Sequence, residues 1–280
     1  MASKKNSRAP INALAQLREG SPKEGWGYLR WCIPCLIAVA TFLAFSPTLQ
    51  NGFVNWDDPD NLVNNPHFRG LGWEQLAWMF TTFHMTLYRP LTWVTHGFDF
   101  LVWGMAPMGY HLTSLIFHVV NAVLVYFLSF RLLALALKQA APSLPSLRIG
   151  AGFAGLLFAL HPLRVEAVAW ASGRENVVAG FFLLLAMICY LRAVGNSAVN
   201  SSSYWKWLFA AWLNFALSLL SKVSGVTFPL VLLVLDVYPL RRLPPRLSRW
   251  FQSETRHVWW EKVSFGVLAC GASALGFLAK

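Results

Sequence analysis

Two adjacent carboxylates, Asp57 and Asp58, stand a few residues beyond an apolar run in the segment NGFVNWDDPDNLVNNPHFRGL, followed by Asp60, Asn61, Asn64 and Asn65. Carboxylates this close to an apolar stretch, walled by Phe53 and Trp56, have the chemistry of a general base or of a cation site. The plainer alternative is an Asp/Asn-rich turn that caps its own backbone. A second polar constellation, HPLRVEAVAWASGREN, gathers His161, Arg164, Glu166, Arg174, Glu175 and Asn176 between two apolar runs. Arginine forks suit phosphate oxygens; the alternative is mutual salt bridging, Arg164 with Glu166 or Arg174 with Glu175. Lys222 in LSLLSKVSG either joins such an anion site or snorkels to headgroups. Together these groups describe a site that binds a lipid-linked phosphate and activates a hydroxyl beside it.

The elements that must position them are membrane helices. The 280 residues are 56% hydrophobic and 12% charged, against about 25% charged for a soluble domain. A backbone in lipid must satisfy its own hydrogen bonds, so helices follow and sheets are disfavoured. The expectation is an all-α polytopic membrane bundle of about seven spans, near 31–49, 110–137, 148–162, 176–194, 204–221, 224–239 and 263–280. Residues 1–30 form a basic cytoplasmic tail, and 31–280 the multi-spanning domain. Threaded from a cytoplasmic start, this leaves only Arg69, Arg89, Arg164, Arg174 and Lys222 outside, with Lys280 at the chain end, as the positive-inside rule requires. The acid loop, the arginine segment and Lys222 then share the external face. With its last run barely long enough to cross, the chain is expected to be truncated from a longer protein.

Residues 50–109 make a long external first loop, with interfacial helices at Trp73–Phe80 and Pro90–Trp103 whose aromatics suit the membrane surface. In the second span, His111, Ser114, His118 and Asn121 fall on one helical stripe. The two histidines are two turns apart, too far for one ion, so interhelical hydrogen bonding is the reading. Residues 239–262 combine Arg241, Arg242, Arg246 and Arg249 with Trp250, Phe251, Trp259 and Trp260, a pattern that lies on anionic membranes without invoking nucleic acid. Cys32 and Cys35 in WCIPC lack the βαβ context of a redox motif and read as packing residues.

The segments FVNWDD, YRPLT, GYHL with FHVVNA, HPLRVEAVAWASGREN and LLSKVSG, in this order over most of residues 45–239, resemble the membrane part of the GT-C superfamily of glycosyltransferases. Most similar are bacterial relatives of the transmembrane and tetratricopeptide-repeat O-mannosyltransferases. The resemblance implies transfer of a sugar, a hexose such as mannose, from a polyprenyl-phosphate donor to a protein or glycan hydroxyl on the external face. In that family the acidic pair of the first loop supplies the base, so Asp57 or Asp58 would take the proton, with Asp57 favoured. Arg164, Arg174 and Lys222, with His161, would hold the donor phosphate, while Glu166, Glu175, His111 and His118 support the site. No metal ligand set is assigned and no cofactor is certain; a divalent cation is left open. The expected location is a bacterial inner membrane. The repeats that follow in the family's full form are absent, so this piece could be inactive. The competing reading is a non-catalytic membrane protein, a transporter or assembly subunit, although a transporter needs ionisable groups near mid-membrane on several spans, only the His118 stripe and Asp236 supply them, and no repeat is visible.

Overall fold

The computed structural model describes residues 28–196 and 201–279. Nearly all of the expected basic tail, and residues 197–200 of the connector after the fourth apolar run, lie outside the described residues. Among the described residues all regular structure is helical: α1 (Leu29–Phe45), α2 (Trp73–Thr81), α3 (Pro90–Trp103), α4 (Pro107–Ala136), α5 (Leu144–Leu160), α6 (Arg164–Ala169), α7 (Arg174–Asn196), α8 (Ser202–Ser221), α9 (Phe228–Val237) and α10 (Arg256–Leu278). Each of the seven apolar runs forms a helix. By length and composition Arg30–Gln50, Pro107–Ala136, Arg174–Gly195 and Ser253–Leu278 can cross a membrane, while Leu144–Leu160 and Val223–Val237 are shorter apolar helices. The chain is a multi-pass helical membrane protein.

Helix starts follow local chemistry. The Ser143 hydroxyl accepts from the Ser146 N–H at 3.3 Å and opens α5 four residues before the apolar run expected at 148. Ser201 does the same for α8 through Tyr204 N–H at 3.2 Å. Proline in the first turn of α3, α4 and α9 costs no hydrogen bond, because those N–H groups have no intrahelical partner. The two helices expected within residues 50–109 are present as α2 and α3.

Three packed regions set the frame. Helices α1, α4 and α5 meet at Ile37, Ala122, Tyr126, Ala151 and Ala159. Gly155 brings α5 so close to α1 that a methyl there would stand 2.9 Å from the Ile37 side chain. Helices α7 to α10 enclose an aromatic core in which the Phe215 ring lies 5.0 Å from Phe228 and 5.8 Å from Phe265. Within a bilayer such contacts stabilise by close packing, since lipid is as apolar as the partner helix. The loop before α4 has its own core of Leu62, Phe68, Met79, Trp93 and Tyr110.

The polar stripe of α4 points inward as expected: His111, Ser114, His118 and Asn121 are all buried. Asn121 donates to the Val177 carbonyl at 2.8 Å, and His118 Nε2 lies 2.9 Å from the Ala159 carbonyl, tying α4 to α7 and α5. Cys32 and Cys35 are free thiols on α1.

The segment 239–262 departs from its expected surface position. Arg242 pairs with Asp236 at 3.0 Å and with Glu261, and Lys262 pairs with Asp236 at 2.7 Å. Tyr190 donates to Asp236 at 2.8 Å and Tyr204 donates to Glu261, so α7, α8, α9 and α10 are joined by one buried cluster. Its two acids and two bases cancel, which is why it tolerates burial. Trp259 stacks on Phe251 at 5.1 Å and donates to the Trp250 carbonyl, folding the segment onto itself. Arg241, Arg246 and Arg249 remain exposed.

Candidate active site

The acid loop ends in a short wide helical turn, Pro59–Val63, in which Asn61 N–H reaches the Asp57 carbonyl at 2.9 Å. Its two carboxylates have different surroundings. Asp58 is fully buried; one oxygen accepts from Val54 N–H at 2.8 Å, the other from Ser172 N–H at 3.0 Å and from the Ser172 hydroxyl at 2.5 Å. Asp58 therefore anchors the loop to the turn between α6 and α7. Asp57 is half-buried, and no hydrogen bond or ion pair holds its carboxylate among the described residues.

A chain of polar contacts leads away from this anchor. Asn61 donates to the Ser172 hydroxyl at 3.2 Å and accepts from the Arg89 guanidinium at 2.6 Å. Arg89 pairs with Glu175 at 2.8 Å, Glu175 with Lys222 at 2.8 Å, and Lys222 donates to Asn176 at 2.7 Å. Beyond them opens a cavity of about 370 Å³ lined by Tyr88, Arg89, Glu175, Lys222, Ser224 and Phe277 among others. It has two cations against one carboxylate, beside the apolar surface of α10. That balance suits an anionic headgroup attached to an apolar chain.

The other expected anion ligands are elsewhere. Arg174 is wholly buried, ion-paired with Asp99, and donates to the Tyr110 carbonyl at 2.7 Å and the Ser114 hydroxyl at 3.2 Å. It does not line the cavity, because the outer core needs it to neutralise Asp99. Burial pushes the Asp99 carboxyl above its ordinary range, and Arg174 opposes that rise. Arg164 lies 4.3 Å over the Phe158 ring, while His161 and Glu166 are exposed; none of the three lines the cavity. His111 and His118 belong to the bundle interior, with His111 Nε2 3.4 Å from the Gly52 carbonyl behind the acid loop. The alternative pairings Arg164–Glu166 and Arg174–Glu175 are not the ones formed. Among the described residues no group of three or more His, Cys, Asp or Glu is placed to hold a metal ion.

Sequence reasoning gave no site role to Arg89, Asn61, Ser172 or Asp99. Arg89 had a signal, since it sits in YRPLT immediately before the proline that opens α3. Ser172 had none: a serine in a short turn is unremarkable until the fold brings Asp58 to it.

No family model matches the chain, and no solved structure matches it. Among curated proteins it is 32% identical over 171 residues to protein O-mannosyl-transferase Tmtc3 of Drosophila melanogaster, 56% of this chain and 18% of that protein. It is 35% identical over 160 residues to tmtc2 of Xenopus laevis, 56% of this chain and 17% of that protein. The match to human TMTC1 is 32% over 244 residues, covering 80% of this chain and 25% of the relative. The matched part thus spans a quarter or less of these relatives' length. They are animal proteins, and nothing in them supports the expected bacterial inner membrane. Over this region the chain is similar to the protein O-mannosyl-transferases, in keeping with the GT-C type resemblance of its FVNWDD, YRPLT and LLSKVSG segments.

Proposed function

We propose that the chain is the membrane part of a glycosyltransferase that moves a sugar from a polyprenyl-phosphate donor to a hydroxyl of a protein or glycan acceptor. The observation that carries this reading is the cavity holding Arg89 and Lys222, connected through Asn61 and Ser172 to the loop of Asp57 and Asp58. The donor phosphate sits against Lys222 and Arg89, with its prenyl chain along α10 near Phe277. Asp57 takes the acceptor's proton as that oxygen attacks the anomeric carbon from the side opposite the phosphate. The bond between sugar and phosphate breaks with inversion, and the polyprenyl phosphate leaves with a charge that the two cations stabilise. The mannosyl-transferase relatives make mannose the first sugar to test.

We read the chain as crossing seven times from a cytoplasmic N-terminus, so that this cavity would face the external side; the distribution of Lys and Arg supports that threading. The buried ionic cluster then lies at the cytoplasmic end: from Glu175 to Tyr190, α7 rises roughly 22 Å. The test is transfer of labelled mannose from polyprenyl-phosphate mannose by the purified full-length protein, comparing wild type with Asp57→Asn and repeating the assay with a chelator to settle the cation. Asp57→Asn is expected to lower kcat by about 10²–10⁴-fold, the usual share of a general base. Undiminished transfer by Asp57→Asn removes the proposed base, and donor binding without transfer by wild type favours the non-catalytic reading.

A further inference from the structure

The outer loop holds a second cavity, of about 520 Å³, lined by Asp60, Asn64, Asn65, His67, Trp78, His84 and neighbouring residues. Its polar groups differ from those around Lys222, where Arg89 and Lys222 are both ion-paired with Glu175. The Asp60 carboxylate, the Asn64 amide and the His67 ring nitrogens have no hydrogen-bond partner among the described residues, and all three side chains are exposed. His84 Nε2 lies 3.1 Å from the Asp60 carbonyl. Burial, with the charge of Arg89 nearby, pushes the His84 imidazole below its ordinary range and so favours the neutral ring, in which one nitrogen donates and the other accepts.

These groups select an occupant. No Lys or Arg lines the cavity and one carboxylate does, so it is not built for a phosphate. It is too polar for a prenyl tail. A sugar ring stacks best on an open indole face, but His67 already lies flat on Trp78, at 5.3 Å and 17°, and the rings of His84 and Trp93 abut Trp78 at steep angles. What remains is a neutral chain with alternating donors and acceptors, which is the chemistry of a peptide backbone.

The wall between the two cavities points the same way. Met85 lines the polar cavity and Thr86, the next residue, lines the cavity of Lys222. Both have left-handed backbone, at φ +51° and +60°. A β-branched residue in that region is a steric outlier, held only where surrounding structure demands it, and such residues concentrate at ligand clamps. The turn that carries Asp57 also carries Asp60 and Asn64, so the proposed base and this cavity belong to one short segment.

We infer that the polar cavity binds the acceptor as an extended peptide segment bearing a hydroxyl, and that residues 84–86 are the partition between acceptor and donor. This rests on the glycosyltransferase reading. The test uses the full-length protein and a threonine-containing synthetic peptide carrying a benzophenone. Photo-crosslinks are expected within residues 60–67 and 78–85. Asn64→Ala and His67→Ala should each raise the peptide KM at least fivefold and leave the KM for polyprenyl-phosphate mannose unchanged. His67→Phe keeps the ring against Trp78 but removes its nitrogens, and should match His67→Ala if hydrogen bonding is what counts. Capture of the peptide in the cavity without sugar transfer upholds the inference and refutes the transfer reading. Transfer that proceeds with unchanged peptide KM in all three variants, crosslinks confined to other segments, or protection by a manno-oligosaccharide without capture of the peptide would each overturn it.

Discussion

Replacing Arg174 with methionine separates the two roles open to this residue, as a ligand for the donor phosphate or as the neutralising partner of Asp99. Both side chains of the pair are 0% exposed. Asp99 also accepts from the Thr113 hydroxyl at 2.6 Å, so it stays in place when Arg174 is removed. Methionine fills much of the vacated space but leaves a buried, unpaired carboxylate, and breaking such a pair from one side costs about 3–5 kcal/mol. At roughly 2–4 °C per kcal/mol for a chain of this order of size, the midpoint of thermal unfolding in detergent should fall by about 6–20 °C. Adding Asp99→Asn removes the stranded charge and should restore much of the loss, so the double variant is more stable than Arg174→Met alone.

The sign of the pH dependence provides a second check. Without Arg174 the folded-state pKa of Asp99 rises further above its unfolded value. The folded state then binds the extra proton over the window between them, so stability is retained below the unfolded pKa, near 4, and lost as pH rises through the folded one. The deficit of Arg174→Met is therefore smallest in acid and largest at neutral pH. An unchanged midpoint accompanied by a raised KM for polyprenyl-phosphate mannose would refute the structural role and return Arg174 to the donor site.

Asp58→Asn should differ in kind from Asp57→Asn: it weakens bonds from Val54 and Ser172 and is expected to destabilise the loop, read as faster proteolysis between residues 51 and 72. Lys222→Met should raise the donor KM about tenfold or more by removing one of two cations, with peptide capture unaffected. Arg242→Met leaves Lys262 alone against the two buried carboxylates Asp236 and Glu261, one counter-charge short, and should cost about 3–5 kcal/mol in unfolding assays, while donor KM in the surviving folded protein is unchanged. Because His84 is neutral down to a pH below the ordinary imidazole value, peptide KM should be flat from pH 7 to 8 and rise only in acid; a break above pH 7 would contradict its surroundings.

What the sequence determined by itself was the helical membrane architecture and the order of its elements. Apolar run length, helical periodicity and first-turn prolines are local properties, so α2, α3 and the stripe from His111 to Asn121 could be read from spacing alone. The acid loop, Glu175 and Lys222 stood out as candidates for the same reason, since carboxylates and a lysine beside apolar runs are conspicuous. The tertiary structure decided which charge meets which. Arg174 and Glu175 are neighbours in the chain, yet one turns into the outer core toward Asp99 and the other toward Arg89 and Lys222. Successive residues on a helix face about 100° apart, so adjacency in sequence sends two side chains to different partners. The same distinction divides Asp57 from Asp58: their types are identical, and only the arrival of Ser172, 114 residues later, makes one an anchor and leaves the other free.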